Sequence, residues 1–349
     1  MQFAITTTII CPAASDVVWY CKTFTIVFPT RLVVCYRQAG FFLCSHLSPL
    51  TSHLSPLTSH LSPLFMLRLA IQKSGRLSED SLQLLRDAGI YLSSSPSRLL
   101  RTQATNFPLE LIFVRDDDIP EYVEGGVVDI GIVGENVLLE ARKDVETVER
   151  LGFGKCRLSL AMPKNTPYSG PESLQNLRIA TSYVRILDNF LREQNIQADI
   201  HEISGSVEIS PSLGLADAIF DIVSTGSTLL ANGLREVATV LESEALLVAH
   251  PVMAAEKRDI LDRLLFRIHA NRNAKNHRYI LMNVPNDQLD HIAALIPGMK
   301  SPTVLPLQQP GWSSLHSVIP ETVFWDVLEQ LKAAGAEGIL VVPIERMIL

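Results

Sequence analysis

The stretch DIVSTGSTL, residues 221–229, puts a row of small hydroxyl and glycine residues directly after an apolar run. The run AIFDIV (218–223) has the composition of a buried strand, and LLANGLREV (229–237) has that of a helix. Backbone N–H groups point outward at a helix start, and glycine lets a ligand approach the main chain. The row therefore predicts a cup for a phosphate monoester, with a capped surface turn as the alternative. It consists of Ser224, Thr225, Gly226, Ser227 and Thr228.

Three acidic residues lie close to this row in the sequence: Glu208, Asp217 and Asp221. Carboxylates beside a phosphate cup can accept hydrogen bonds from the vicinal hydroxyls of a ribose. They can also ligate a divalent cation that bridges to a diphosphate. The combination favours a sugar-phosphate site over a plain turn.

Short apolar runs alternate with amphipathic segments from residue 66 onward, which is typical of an α/β fold. The first helix is predicted to be capped by Ser78 and to stop at Gly89. Further helices are predicted at 184–191 and 256–270. The polar stretch NRNAKNH (271–277) predicts a linker between domains. The predicted strands lie at 67–72, 109–115, 127–133, 177–180, 198–203 and 218–223.

The C-terminal residues predict a strand, a helix, two strands, a helix and a strand. These elements lie at 278–284, 287–295, 303–307, around Pro310 and Gly311, at 321–334 and at 338–342. This order is that of a ferredoxin-like module. Modules of this kind often bind small regulators, although the fold alone does not assign a ligand.

Residues 1–65 differ in composition from the rest of the chain. They hold four of the five cysteines, four charged residues and the repeat SHLSPLT-SHLSPLT-SHLSPLF at 45–65. A period of seven with a proline in each copy fits neither a folding repeat nor a continuous helix. The charged residues break every apolar run before the roughly 18 residues of a membrane span, and no basic region leads the segment. We expect 1–65 to be a non-native or disordered leader, with translation starting at Met66.

Residues 66–349 carry 27 Lys and Arg against 36 Asp and Glu, a formal net charge of −9. This charge argues against binding to nucleic acid or to an anionic membrane. The single cysteine in this part, Cys156, excludes a disulfide framework and a cysteine-rich zinc site, and fits the reducing cytoplasm. The nine histidines show no metal-binding pattern, because His46, His53 and His60 are spaced only by the leader repeat.

The segment EISPSLGLADAIFDIVSTGSTL (208–229) resembles the signature of the ATP phosphoribosyltransferases, which begin histidine biosynthesis. The residues that carry the resemblance are Glu208, Gly214, Ala216, Ile219, Asp221, Thr225, Gly226, Thr228 and Leu229. Other family-like segments follow in order: QKSGRLS (72–78), VRDDDIP (114–120), GVVDIGIVGENVL (126–138), CRLSLA (156–161), RIATSY (178–183), ANGLREV (231–237) and PTVLPL (302–307). The resemblance covers residues 66–349 and leaves 1–65 without a counterpart.

The resemblance implies transfer of the 5-phosphoribosyl group from phosphoribosyl pyrophosphate to N1 of ATP, with release of pyrophosphate assisted by Mg²⁺. Bond loss at the anomeric carbon creates an oxocarbenium-like centre and a highly charged leaving group. Catalysis then depends on alignment and electrostatic stabilisation, without a covalent nucleophile.

The resemblance also implies roles for individual residues. Residues 224–228 would hold the 5′-phosphate, while Asp217 and Asp221 would serve the ribose hydroxyls or the metal, with Glu208 as their partner. Lys73 and Arg76, on the turn after the first strand, would face the polyphosphate. Without the resemblance, a lysine on such a turn is more often a solvated surface charge.

The ATP side of the site is expected in the segment after the second strand. It comprises Arg115, Asp116, Asp117 and Asp118, for which a solvated loop is the alternative. Arg157 is a better candidate for a substrate contact than Cys156, which is expected to be a core thiol. Tyr183 is expected either to stack on a substrate or to pack.

The implied fold is a two-lobed core like that of type II periplasmic binding proteins, followed by a ferredoxin-like (ACT/PII-like) regulatory domain. The first lobe is expected to comprise 66–158 and 240–270, the second 159–239, and the regulatory domain 275–349. The regulatory domain implies the long form of the enzyme, which needs no separate regulatory subunit. This form is a homo-oligomer that ranges from dimer to hexamer. Histidine and AMP are the implied inhibitors, with Thr303 as a histidine contact.

Two other classes of protein compete with this interpretation. A non-enzymatic two-lobed sensor or solute-binding protein would explain a cleft and a small regulatory module. It would not explain the carboxylates that precede a phosphate cup. A conventional kinase or dehydrogenase is disfavoured because neither GxxxxGK[ST] nor GxGxxG after a strand is present.

Overall fold

The structure, a computed structural model, describes residues 66–93, 100–296 and 301–349, together with the backbone of four strands before residue 45. The strands are β1 Thr6–Thr7, β2 Thr23–Phe28, β3 Arg31–Gln38, β4 Phe41–Cys44, β5 Leu67–Gln72, β6 Arg101–Gln103, β7 Leu109–Val114, β8 Ile130–Gly134, β9 Glu146–Arg150, β10 Cys156–Pro163, β11 Arg178–Thr181, β12 Asp199–Glu202, β13 Ala218–Val223, β14 Leu234–Ser243, β15 Ala245–Ala249, β16 His277–Pro285, β17 Thr303–Pro306, β18 Trp312–Pro320 and β19 Glu337–Pro343. The helices are α1 Arg76–Asp87, α2 Ile119–Glu124, α3 Glu135–Ala141, α4 Val184–Glu193, α5 Ser227–Ala231, α6 Ala255–Lys275, α7 Leu289–Leu295 and α8 Phe324–Ala333.

Residues 1–60 form one unit and residues 61–349 another. Within the first unit, β1 to β4 make an antiparallel sheet in chain order. The repeat at 45–65 and its residues His46, His53 and His60 lie outside the described residues. The expectation that 1–65 is a leader outside the native protein therefore stays a prediction.

The first sheet of the second unit has the strand order β6-β7-β5-β8-β15-β9. Its centre consists of the parallel strands β7, β5 and β8, and β15 and β9 follow antiparallel. The strands are built from apolar residues that are buried on both faces, as in the run LRLAIQ of β5. Helices α1 and α6 cover one face, where Leu85, Leu261 and Leu264 join the core.

The second sheet repeats this plan with the order β12-β11-β13-β10-β14. Strands β12, β11 and β13 are parallel, and β10 and β14 follow antiparallel. Leu187 and Leu191 of α4 pack on one face beside Phe220. Each sheet thus has a parallel trio in the order second, first, third, extended at one side by two strands that pair antiparallel. The first sheet also has β6, which pairs antiparallel with β7 at its other edge.

The chain passes between the two sheets twice. Residues 151–155 lead from β9 to β10, and Glu244 alone separates β14 from β15. Two α/β lobes joined by two short crossings confirm the predicted fold class. The predicted lobe boundaries divide β10 and β14, whereas both strands lie wholly in the second sheet.

The C-terminal residues form a separate sheet in the order β17-β18-β16-β19, antiparallel throughout. Helices α7 and α8 cover one face, with Ile292, Phe324 and Leu331 in the core. The predicted β-α-β-β-α-β order is confirmed. None of the helices in the described ranges is long and apolar enough to cross a bilayer.

Three predictions about local structure were wrong. The stretch 271–277 is not a linker, because α6 continues to Lys275 with Ala270 and Ala274 buried at helical spacing. Ser78 does not cap α1, since the helix starts at Arg76 and Ser78 is buried in its first turn. The helix after the phosphate loop ends at Ala231, and 234–237 belong to β14.

Candidate active site

The loop between β13 and α5 presents main-chain donors to solvent. Gly226 precedes the first residue of α5 with a φ of 78°, in the left-handed region that glycine adopts without strain. The amide of Leu230 donates to the Gly226 carbonyl at 3.1 Å and closes the first turn of α5. In the described part of the chain, the amides of Thr225 and Gly226 donate to no protein acceptor. They are therefore available to an anion.

The same loop carries four exposed side-chain hydroxyls. Ser224, Thr225, Ser227 and Thr228 are exposed, and the Oγ atoms of Thr225 and Ser227 lie 3.0 Å apart. The structure therefore groups the five predicted phosphate-binding residues on one exposed turn. Donors from both backbone and side chains can converge there on a phosphate monoester.

Two cations from distant parts of the chain reach this loop. Arg76, the first residue of α1 in the first lobe, donates from Nη1 to Ser224 Oγ at 3.2 Å. Lys73 lies on the same turn. Its amide donates to the Val114 carbonyl at 2.9 Å and so holds the turn against the end of β7. The turn predicted to face polyphosphate therefore lies opposite the phosphate loop of the second lobe.

Arg157 is the second cation and lies on β10. Its Nη1 donates to the Ser224 carbonyl at 3.2 Å, while Nε and Nη2 each donate to Glu236 at 2.6 Å. The Arg157 guanidinium lowers the pKa of Glu236 to about 2, and a hydrogen bond from Ser159 at 2.8 Å acts in the same direction. Glu236 therefore stays ionised and holds the guanidinium against the loop. Sequence reasoning missed Glu236, whose segment was predicted to be helical.

Asp221 and Glu208 lie together beside the loop. Burial raises the pKa of the Asp221 carboxyl, and the nearby Glu208 charge raises it further. A hydrogen bond from the Ile222 amide at 2.7 Å opposes this shift. The structure thus brings together two of the three predicted carboxylates and holds Asp221 in a partly desolvated place.

Asp217 is not brought to the loop. It precedes β13, whereas the loop follows that strand, and six residues at ~3.3 Å each separate the two by roughly 20 Å. Its carboxylate accepts bonds from Arg178 Nε at 3.1 Å, Arg178 Nη2 at 2.9 Å and the Arg178 amide at 3.0 Å. These hydrogen bonds lower its pKa. Asp217 therefore forms a structural ion pair at the far end of the sheet.

The acidic segment Asp116–Asp118 forms a 3-10 turn after β7, with Arg115 at its start. Burial, and then the Asp116 and Asp118 charges, raise the pKa of Asp117, whereas Arg115 lowers it. The segment follows the carboxyl end of a parallel strand, as the Lys73 turn and the phosphate loop do. The four residues predicted for the ATP side therefore occupy one short turn at the same edge of the first sheet.

Tyr183 links the two lobes across this region. Its hydroxyl accepts a bond from Asn136 Nδ2 at 3.1 Å. Burial raises its pKa; that hydrogen bond opposes the shift, while the charges of Asp221, Asp117 and Asp116 add to it. Carboxylates of both lobes thus act on one phenol. The Asp116–Asp117 turn of the first lobe and Asp221 of the second lobe therefore both lie near Tyr183.

A cavity of about 490 Å³ adjoins the phosphate loop where the chain crosses between the lobes. Cys156 is half-buried there, and burial raises the pKa of its thiol, which disfavours a reactive thiolate. Arg150 pairs with Glu135 and Glu244 at the crossing. The lining residues are Glu135, Arg150, Lys155, Cys156, Arg157, Ser224, Glu242, Ser243 and Glu244.

Thr303 lies far from this cleft in sequence and starts the edge strand β17 of the C-terminal sheet. Its register partner on β18 is His316. His316 is held between the Tyr279 hydroxyl at 2.8 Å and the Ser314 hydroxyl at 3.0 Å. A polar cluster therefore lies beside the residue predicted to contact histidine.

Comparisons with known proteins identify relatives of both parts of the second unit. A family model described as ATP phosphoribosyltransferase matches residues 115–270, and one described as HisG, C-terminal domain, matches 274–346. The ATP phosphoribosyltransferase of Cytophaga hutchinsonii is 59% identical over 283 residues, which is 81% of this chain and 99% of that protein. That of Phocaeicola vulgatus is 55% identical over 284 residues, 81% of this chain and 100% of that protein.

A solved structure supports the fold of the core. The ATP phosphoribosyl transferase (HisG:HisZ) complex from Thermotoga maritima aligns with a TM-score of 0.51 and 29% identity, covering 58% of this chain and 99% of the matched chain. Sequence and fold thus agree over the lobes that build the cleft. The chain belongs to the ATP phosphoribosyltransferase family.

Proposed function

We propose that this protein transfers the 5-phosphoribosyl group of phosphoribosyl pyrophosphate to N1 of ATP. The products are N1-(5-phosphoribosyl)-ATP and pyrophosphate, in the first step of histidine biosynthesis. One observation carries the assignment: the free amides of Thr225 and Gly226 directly follow Ser224, which accepts bonds from the Arg76 and Arg157 guanidinium groups, and the half-buried Asp221 carboxyl lies on the strand that leads into this loop. A sugar phosphate matches each of these groups, and the curated relatives bear the name of this enzyme.

The substrates divide the cleft between the lobes. The 5′-phosphate binds to residues 224–228, and Asp221 accepts hydrogen bonds from the ribose hydroxyls, with Glu208 beside it. Lys73 and Arg76 face the pyrophosphate from the first lobe. The turn of Arg115 and Asp116–Asp118, opposite Asp221 around Tyr183, takes ATP.

The reaction breaks the bond between C1′ and the pyrophosphate oxygen as N1 of adenine bonds to C1′. Positive charge develops on the ribose ring, where the Asp221 carboxylate stabilises it. Negative charge develops on the pyrophosphate, where Lys73 and Arg76 stabilise it. Arg157 is held by its two bonds to Glu236 and keeps the phosphate loop in place. The loop therefore loses little conformational entropy when the substrates are aligned for reaction.

The described residues contain no group of three His, Cys, Asp or Glu side chains that could hold a metal ion. They fit a Mg²⁺ that arrives with the pyrophosphate of the substrate, and Asp221 and Glu208 would be its protein ligands. When bound, such an ion would supply positive charge beside the leaving group. Asp217 is excluded from this role because Arg178 engages both its oxygens.

The C-terminal module is proposed to bind histidine at Thr303 and so inhibit the enzyme, with AMP as a second inhibitor. Its match to the HisG C-terminal domain and its polar cluster around His316 support this role. The protein is proposed to assemble as dimers and hexamers without a separate regulatory subunit. We place it in the cytoplasm, where its substrates occur.

Release of pyrophosphate tests the function directly. The full chain is incubated with ATP, phosphoribosyl pyrophosphate and Mg²⁺, with and without histidine, and pyrophosphate and the N1 adduct are measured. We expect both products in equal amounts and inhibition by histidine. Binding of the substrates without either product would support the sensor alternative instead.

A further inference from the structure

Two helix ends meet where the lobes contact each other. Helix α3 of the first lobe ends at Ala141, and α4 of the second lobe begins at Val184. The carboxylate of Glu140 accepts bonds from the Arg185 amide at 2.9 and 3.1 Å and from the Ile186 amide at 3.0 Å. A residue of one lobe thus caps the helix of the other.

The contact is reciprocal. The Nη1 atom of Arg185 donates to the carbonyls of Glu140 at 2.9 Å and Ala141 at 3.0 Å, at the end of α3. Nearby, Arg142 Nη2 donates to Asn189 Oδ1 at 2.9 Å. An anion at a helix start and a cation at a helix end are both favoured by the helix dipole. We call Glu140, Arg142, Arg185 and Asn189 the α3–α4 clasp.

Helix α4 has no local cap to replace Glu140. The residue before the helix is Tyr183, and its side chain makes no capping bond. Capping normally comes from a Ser, Thr, Asp or Asn at this position. When the lobes separate, the first amides of α4 lose their acceptor. Lobe closure and the capping of α4 are therefore linked.

The clasp also fixes the groups that face the substrates. Tyr183 directly precedes α4, and Asn136, its hydrogen-bond partner, lies in the first turn of α3. Asn136 is in turn bonded to Ser243, the last residue of β14 before the crossing, at 2.9 and 3.1 Å. One connected set of bonds thus runs from the crossing along α3 to the start of α4.

We propose that the α3–α4 clasp holds the lobes in the closed arrangement, and that Glu140 is a positioning residue for phosphoribosyl transfer. Glu140 acts by keeping Asp116–Asp118 and Arg76 of the first lobe opposite the phosphate loop of the second. The inference rests on the proposed function. The 5′-phosphate loop lies on the second lobe, whereas Lys73 and Arg76 face the pyrophosphate from the first lobe. Opening the clasp therefore reduces turnover more than it reduces binding of ribose 5-phosphate, which has no pyrophosphate.

The test uses Glu140→Ala and Glu140→Gln in the full chain, with Glu146→Ala as the matched control. Glu146 pairs with Arg258 inside the first lobe, so the control removes an equal charge without touching the clasp. Hydrogen exchange of a peptide spanning the start of α4 is the first measurement. Glu140→Ala should accelerate exchange at Arg185 and Ile186, Glu140→Gln should do so less, and the control should not.

Steady-state kinetics provide the second measurement. We expect kcat to fall by about tenfold in Glu140→Ala, while the Kd for ribose 5-phosphate, which occupies only the second-lobe site, changes by less than about twofold. Arg185→Ala should lower kcat to a similar extent. The double variant should lose little more of its kcat than either single variant, because both substitutions open the same clasp.

Three results would overturn the inference: unchanged exchange at α4 in Glu140→Ala, equal losses in kcat and in ribose 5-phosphate binding, or additive losses of kcat in the double variant. The exchange experiment needs no activity. A chain that releases no pyrophosphate would refute the proposed function, while the exchange result would still decide whether the clasp exists. A melting curve for each variant separates opening of the clasp from global unfolding.

Discussion

The stability of the fold and the proposed function make opposite demands on the Asp221 carboxyl. Burial and the Glu208 charge raise the pKa of its carboxyl, so the ionised form is disfavoured in the folded protein. The proposed ribose contact needs that ionised form. Asp217, four residues earlier, has the opposite balance, because Arg178 lowers its pKa.

Replacing Asp221 by Asn should therefore stabilise the protein while it inactivates the enzyme. A carboxyl whose pKa is raised on folding destabilises the fold once the pH exceeds its unfolded value, near 3.9. We expect a higher melting temperature for Asp221→Asn at pH 7, a gain that vanishes below that pH, and a fall of about a hundredfold in kcat/KM. Asp217→Asn is the control and should lower the melting temperature at pH 7. A lower melting temperature for Asp221→Asn would contradict the account.

Gly226 is the residue at which backbone conformation and binding are hardest to separate. A Cβ built there would come no closer than 3.9 Å to Val223, so the protein itself leaves room for it. The φ of 78° disfavours other residues, above all β-branched ones. An added side chain would project into the space proposed for the phosphate.

We expect Gly226→Val to raise the KM for phosphoribosyl pyrophosphate at least about tenfold and to leave that for ATP within about twofold. Gly233→Val is the matched control. Gly233 has a φ of 73° and open space around it, and lies after α5 instead of before it. Both variants should lose about 1–2 kcal/mol of stability, measured by denaturant unfolding. Equal rises in the two KM values would show that the cleft is divided differently.

The pairing of strands β10 and β14 determines how the Arg157 side chain is oriented. The pairing has two irregularities, between Leu158 and Ser159 and between Leu160 and Ala161. Such bulges re-aim side chains. Glu236 of β14 thereby meets both Arg157 and Ser159 of β10. A planar guanidinium binds both oxygens of Glu236 and the Ser224 carbonyl at once, a fixed bidentate geometry that a lysine ammonium does not reproduce.

Arg157→Lys should weaken phosphoribosyl pyrophosphate binding by about tenfold, because the charge remains but the two-sided contact is lost. Isothermal titration with the substrate measures the change. Arg258→Lys serves as the control, since it breaks a similar pair with Glu146 away from the loop. If both variants bind alike, Arg157 has no role at the phosphate loop.

The long helix α6 connects the two-lobed core to the C-terminal domain. It packs on the first lobe through Ile260, Leu261 and Leu264 and then continues directly into the C-terminal domain. The chain end returns to it, where the Met347 amide donates to the Ala270 carbonyl at 2.8 Å. Asn276 alone separates α6 from β16, so the histidine proposed to bind the C-terminal sheet would act on the core through this helix.

A chain that ends after Asn276 should keep α6 intact and retain pyrophosphate release within about threefold, because the described cleft lies in the lobes. It should lose inhibition by histidine. The full chain with Thr303→Ala serves as a second variant and should raise the inhibitory histidine concentration without changing uninhibited turnover. Pyrophosphate release across a histidine titration measures both. Inhibition of the truncated chain would remove the regulatory assignment.

The local pattern determined much of this protein. The α/β class, the phosphate loop after β13 and the order of elements in the C-terminal module follow from residues adjacent in sequence, because strand and helix periodicities are local. The polar composition of 271–277 led to the wrong prediction of a linker, because only the burial of Ala270 and Ala274 shows that helix α6 continues there. The lobe boundaries, the oligomeric state and the histidine site stay predictions.

Which of these residues contact one another depends on tertiary packing. Arg76 and Ser224 are 148 positions apart, and Glu140 and Arg185 are 45 apart. Asp217 and Asp221 are neighbours in sequence, yet they lie toward opposite ends of one strand and have opposite pKa shifts. The sequence by itself supplied the chemistry of the phosphate loop. The pairing of its partners depends on how two sheets face each other, and no local periodicity encodes that arrangement.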